Sequence, residues 1–217
     1  PIGHATLDKM IGQMLMVGFT GDRMSSPGVA ALERQIASGE VGSVLFLGNN
    51  ISSLAEAARI NQRLISARPD LPPFLAIDQE GGYIERLNRK IVFREIATAS
   101  SVAENNSVEG ARQIYARLAA DIKKVGFNLN LGPVVDLNIN RNNPIIARYG
   151  RAFSANADTV SAYASAFVAG HRAHGISTAL KHFPGHGDTN TDAHRVLPVV
   201  NHDKSRLDSL ELYPFKY

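Results

Sequence analysis

Residues Ile176 to Asp188 read Ile-Ser-Thr-Ala-Leu-Lys-His-Phe-Pro-Gly-His-Gly-Asp, the order of a buried strand running straight into a site. Ile176–Leu180 carries no charge, and Lys181-His182 then places a cationic pair at its carboxyl end. The Gly/Pro-punctuated loop that follows, as far as Pro198, gathers His186, Asp188, Asp192, His194 and Arg195. No other segment concentrates ionisable groups in this way. A strand that is uncharged until its carboxyl end belongs to α/β folds, where ligands bind just beyond that end.

The same pattern recurs along the chain. Met14–Phe19, Val41–Leu47, Phe74–Asp78 and Phe127–Leu137 read as further strands, two of them closing on Asp78 and Asp136. Helical segments lie between them. Ser26-Pro27 opens one that stops at Gly39, a capping Ser before Pro at the first helical position. Ser53 and Glu56 have capping-box spacing for a helix to about Arg68. Glu104–Val125 repeats Ile114, Leu118, Ile122 and Val125 at helical intervals, and Asp158–His174 ends at Gly175. Strands alternating with helices predict a mainly parallel sheet covered on both faces. A single strand-end Asp is as readily a cap for the next turn. Three strand ends carrying charge point instead to a site.

A dinucleotide fold would need G-x-G-x-x-G after the first strand, and the sequence lacks it. Gly81-Gly82 follows Glu80, whose charge repels phosphate, and there is no G-x-x-x-x-G-K-[ST]. A (β/α)8 barrel fits better, with about the first five βα units legible where eight are needed, in a fold that typically takes about 250 residues. With 217 residues and no linker-like stretch, residues 1–217 are expected to form one domain. The chain opens on Pro1 rather than Met, which suggests a trimmed segment.

Composition narrows the partners. The net charge is +3 with Lys and Arg scattered, so no nucleic-acid footprint is present. No apolar run reaches the roughly 20 residues of a membrane span. The absence of cysteine excludes disulfides and thiolate chemistry and leaves the compartment open.

The loop from Lys181 to Pro198 admits three chemistries. His182 and His186 are spaced like metal ligands, but that spacing serves a metal on a helix, which Pro184, Gly185 and Gly187 forbid; no metal or other cofactor is expected. His186 and Asp188 suit structural hydrogen bonds within a tight loop. Asp192 and His194 suit acid/base work: a carboxylate on one imidazole nitrogen fixes the tautomer and raises the basicity of the other, on a side chain that exchanges protons near neutrality.

Taken together, these residues resemble the barrel domain of glycoside hydrolase family 3, and within it the β-N-acetylglucosaminidase branch. The resemblance covers nearly the whole chain. It rests on Ile11-Gly-Gln-Met14, Ile77-Asp-Gln-Glu-Gly-Gly82, Gly132-Pro-Val-Val-Asp136, Lys181–Asp188 with Asp192-Ala-His194, and Glu211-Leu-Tyr-Pro-Phe215. The resemblance implies an enzyme that removes terminal β-linked N-acetylglucosamine with retention of configuration. It implies sugar contacts at Asp78, Arg86, Arg151, Lys181 and His182, and a His194–Asp192 dyad as general acid/base. Retaining glycosidases ordinarily use two carboxyl groups about 5–5.5 Å apart; here a His–Asp pair would replace one of them. A less anionic site would also admit phosphate as acceptor, which product analysis with and without phosphate would test. A β-glucosidase of the same family and a non-catalytic sugar-binding fragment stay open as alternatives, with a metal hydrolase as outsider. Two departures stand out. Tyr83 occupies the position after Gly82 where many relatives have Arg. The family's nucleophile, an Asp on a later strand, is expected beyond Tyr217, which makes the barrel C-terminally incomplete.

Overall fold

The computed structural model describes residues 6–91, 93–192 and 194–216. Pro1, Tyr217 and the Ala193 of Asp192-Ala-His194 lie outside the described residues. The chain divides into two compact units. The first holds the residues up to Asp78 with Arg86–Phe93 and Asp121–Asn130, and the second holds Gln79–Glu85, Arg94–Ala120 and the residues from Leu131 on.

The first unit is a parallel sheet with helical crossovers. Helix α1 (Leu7–Gln13) leads into β1 (Met16–Val17), then α2 (Pro27–Ser38), β2 (Ser43–Phe46), α3 (Leu54–Ser66) and β3 (Phe74–Ile77). The later β6 (Leu129–Asn130) pairs with β3, so the unit's order is β1-β2-β3-β6, parallel throughout. Strands in such a sheet lose both faces to neighbours. Val44, Phe46, Leu75, Ala76 and Ile77 accordingly retain no exposed surface. Phe46 anchors the core, with Phe19 and Phe127 edge-on at 4.9 and 5.1 Å between ring centroids.

Helix α2 turns Val29, Leu32 and Ile36 inward and ends at Gly39, whose φ of 82° only glycine adopts freely. Ser26 does not cap it as the sequence suggested. Its hydroxyl accepts the Arg23 N–H at 3.2 Å instead. Ser53 does cap α3, accepting the Glu56 N–H at 3.1 Å. The Glu56 carboxylate completes no capping box, because it accepts the Met24 N–H at 2.6 Å.

The second unit begins with an antiparallel hairpin, β4 (Gln79–Gly81) and β5 (Ile84–Glu85). It continues through α4 (Ala99–Asn105), the part of α5 (Val108–Lys124) up to Ala120, α6 (Ala157–Arg172), β7 (Ser177–Thr178) and α7 (Lys204–Ser209). The helix expected over Glu104–Val125 is thus two. Asn106 turns extended between them, and the Tyr163 hydroxyl donates to the freed Asn106 carbonyl at 2.6 Å. The strand expected over Phe127–Leu137 is regular only at β6. Pro133 has no N–H to donate, and beyond it Val134 forms an isolated parallel bridge with Lys181. Strands nevertheless occupy all five expected positions, in β1, β2, β3, β6 and β7. This is the α/β fold anticipated, carrying five of the eight strands that a closed (β/α)8 barrel requires. Among the described residues no helix is long and apolar enough to cross a membrane.

Candidate active site

In the second unit, Glu80 on β4 is the hub of the charged groups. Its carboxylate takes a two-pronged ion pair from Arg151, Nε and Nη2 each at 2.9 Å, and the Lys181 Nζ at 2.6 Å. Glu80 is 8% exposed. Burial alone would raise its pKa, but the Arg151 hydrogen bonds and the Lys181 and Arg151 charges outweigh that and hold it below the usual carboxylate range. Arg151 and Lys181 thus share one carboxylate, and their N–H groups are a setting suited to hydroxyl and carbonyl oxygens of a ligand.

Asp136 is the second hub. It is 1% exposed and follows the Val134 bridge that aligns it with the Lys181 strand end. One oxygen meets the His182 Nδ1 at 2.6 Å, and the other accepts the backbone N–H groups of His182 at 3.3 Å and His186 at 2.7 Å. The His182 Nε2 lies 3.4 Å from Arg151 Nη2. Arginine has only donors, so Nε2 accepts and Nδ1 carries the proton that Asp136 receives. Asp136 therefore orients the imidazole and pins the turn of the loop in one residue.

The loop beyond is fixed from inside. Asn143 donates to the carbonyls of His186 at 2.8 Å and Thr189 at 3.0 Å, and the His186 Nδ1 bonds the Thr189 hydroxyl. Burial lowers the His186 pKa. Gly187 packs so closely that a Cβ would fall 1.8 Å from the Leu137 carbonyl oxygen. Gly187→Ala is therefore expected to destabilise the protein by about 1–3 kcal/mol, the cost of overpacking, read as a lower midpoint in urea unfolding; an unchanged midpoint would show that the loop has room to shift.

The Asp192–His194 pair stands further along this loop. The His194 Nδ1 lies 2.8 Å from Asp192 Oδ1, which also accepts the His194 backbone N–H at 2.9 Å. These two hydrogen bonds, backbone first, lower the Asp192 pKa and keep it ionised. The His194 side chain is 86% exposed, so its Nε2 is open to solvent and to an incoming ligand. Asp188 bonds the His202 Nε2 at 2.6 Å. Asp188, His202 and Glu211 lie close enough to share a metal ion, but the Arg206 guanidinium at 3.3 Å from both carboxylates already supplies positive charge there. In the first unit, Asp78 at the end of β3 pairs with Arg86 at 3.1 Å.

Of the residues singled out from sequence, Arg151, Lys181 and His182 thus meet in one charged cluster. Asp192 and His194 form their own pair, and Asp78 and Arg86 form another. Glu80 and Asp136, which organise the cluster, were visible only as an acidic residue beside a Gly pair and as one more strand-end Asp. Behind Glu80 is a cavity of about 10 Å³, lined in part by Tyr115, Arg151 and Phe153, with room for about one water molecule. The buried Tyr115 hydroxyl has no partner among the described residues, and burial and then the Glu80 charge raise its pKa, so it stays neutral.

The model of the glycosyl hydrolase family 3 N-terminal domain matches residues 6–217. Beta-hexosaminidase A of Pseudoalteromonas piscicida is 33% identical over 97% of this chain and 38% of its own length. A beta-hexosaminidase of Pseudomonas aeruginosa is 32% identical over 81% of this chain and 51% of its own. Among solved structures, the family 3 β-N-acetylglucosaminidase of Paenibacillus sp. str. FPU-7 superposes with a TM-score of 0.89 at 30% identity, covering 98% of this chain and 40% of that one. The chain thus spans between about two fifths and a half of the length of these relatives. It belongs to glycosyl hydrolase family 3, of which it carries the N-terminal domain.

Proposed function

We propose that the protein removes terminal β-linked N-acetylglucosamine from glycosides of the peptidoglycan or chitin type, with retention of configuration. The observation that carries this reading is the Asp192–His194 pair at 2.8 Å, with its imidazole open to solvent, on the loop that issues from the Lys181–His182 cluster. Asp192 holds the imidazole by Nδ1 and leaves Nε2 to do chemistry. As imidazolium, His194 gives its proton to the leaving oxygen while the bond from that oxygen to the anomeric carbon breaks. As neutral imidazole, it then takes a proton from the water that attacks the same carbon. Arg151, Lys181 and His182 are the sugar contacts in the second unit, and Asp78 and Arg86 are those in the first. A carboxylate bonds to the anomeric carbon as the leaving oxygen departs, and the attacking water then displaces it. Beta-hexosaminidase relatives at 32–33% identity support the substrate class.

The full-length protein should hydrolyse an aryl β-N-acetylglucosaminide at least about 100-fold more efficiently than the matching β-glucoside, a discrimination of about 3 kcal/mol. Preference for the glucoside would make it a β-glucosidase of the same family. Binding of N-acetylglucosamine without turnover of either would make it a sugar-binding protein.

A further inference from the structure

Two aromatic rings stand beside the charged cluster without a role in the chemistry above. Tyr83 and Tyr149 stack with centroids 4.2 Å apart and planes inclined by 12°, yet Tyr83 keeps 68% of its surface exposed. One face of Tyr83 is covered by its partner, so the other is open to solvent. The Arg148 guanidinium lies 5.5 Å from the Tyr149 centroid and adds a cation contact to the stack.

The pair is built into the fold. Tyr83 sits in the turn of the β4–β5 hairpin, three residues after Glu80, and Tyr149 is two residues before Arg151, the partner of Glu80. Each tyrosine adjoins a glycine with φ of 61°, Gly82 and Gly150. A Cβ on Gly82 would fall 2.4 Å from Thr98 Cγ2, and one on Gly150 would fall 2.7 Å from the Ser100 hydroxyl. Both turns therefore close onto the same short segment at the start of α4. Backbone hydrogen bonds hold them there, from Gly82 N–H to the Ile96 carbonyl at 2.8 Å and from Ser100 N–H to the Gly150 carbonyl at 3.1 Å. The same two turns thus carry the Glu80–Arg151 ion pair inside and the tyrosine stack outside.

We propose that Tyr83, backed by Tyr149, is a platform for the second sugar ring of a β-linked N-acetylglucosamine disaccharide. A β-linked pyranose with equatorial substituents presents axial C–H groups on its flat faces and hydroxyl and amide groups at its edge. Its flat face meets the electron-rich face of an aromatic ring while the polar edge stays hydrated. The neighbouring cations, Arg151 and Lys181, suit the oxygens of the first ring, and the adjacent exposed ring suits the apolar face of the next one. This assignment rests on the reading of the charged cluster as a sugar subsite.

The test compares the full-length protein on N,N′-diacetylchitobiose and on methyl β-N-acetylglucosaminide, which lacks a second ring. Tyr83→Ala should lower the ratio of kcat/KM for the disaccharide over the methyl glycoside by about ten-fold, the size of one lost aromatic contact. Tyr83→Trp, which keeps a flat ring, should restore the ratio, and a ratio unchanged in Tyr83→Ala overturns the platform. Binding is read separately in protein labelled with 3-fluorotyrosine, with the Tyr83 fluorine signal assigned by its loss in Tyr83→Phe. That signal should shift with diacetylchitobiose and stay in place with the monosaccharide. A shift without cleavage of either glycoside overturns the hydrolase reading and leaves the platform standing. No shift overturns the platform whatever the activity.

Discussion

Replacing Glu80 by alanine should cost the protein about 3–5 kcal/mol at neutral pH, the range for deleting one partner of a buried ion pair. The reason lies in what remains. Arg151 and Lys181 have side-chain exposures of 11% and 16%, and both would keep their charge with their shared carboxylate removed. Glu80→Gln should cost nearly as much, because an amide accepts from one cation and presents an NH₂ to the other. The effect also has a pH signature. The folded-state pKa of Glu80 lies below its ordinary 4.5, so its stabilisation is fully present above that value and is lost as pH falls through the lowered one. The gap between wild type and Glu80→Ala should accordingly be widest at neutral pH and shrink only in strong acid. Urea unfolding at a series of pH values measures it. A gap below about 1 kcal/mol at pH 7 would mean that solvent screens the cluster as it does a surface pair.

The second large effect concerns turnover. His194→Ala should lower kcat of the full-length protein on an aryl β-N-acetylglucosaminide by about 10²–10⁴-fold, the usual worth of a positioned general acid/base. It should leave folding almost untouched, because the imidazole is solvent-exposed and its main structural partner is Asp192. Asp192→Asn should have a smaller effect in the same direction, since an amide still holds the ring but no longer supports the imidazolium. Loss of activity without loss of stability separates His194 from Glu80, whose removal affects both.

These contrasts also mark what was legible in the sequence. β2 and β3 were readable because a strand buried on both faces is a run of apolar residues, and Gly39 and Gly175 marked helix ends through a conformation that other residues avoid. The break between α4 and α5 was not readable, because the apolar period of α5 does not show where the helix before it stops. It is held by Tyr163, 57 residues away. The β4–β5 hairpin was hidden too, since Gln79-Glu80-Gly81-Gly82 shows no alternation of apolar and polar residues. In the site, Lys181, His182, Asp192 and His194 stood out by crowding into one loop. The hubs that orient them did not, because Glu80 finds Arg151 across 71 positions and Asp136 finds His182 across 46. Local pattern reports clusters within a loop, whereas ion pairs between residues far apart in the sequence arise only from the tertiary fold.

The role given to His194 has a direct test in the dependence of the His194→Ala defect on the leaving group. A general acid matters in proportion to how poorly the leaving oxygen departs unprotonated. The variant should lose about 10²-fold or more in kcat/KM on an alkyl β-N-acetylglucosaminide and less than about ten-fold on the 2,4-dinitrophenyl glycoside, whose phenolate needs no proton. Equal losses on both substrates would contradict the account, because His194 would then be acting on the sugar or the loop and not on the departing oxygen.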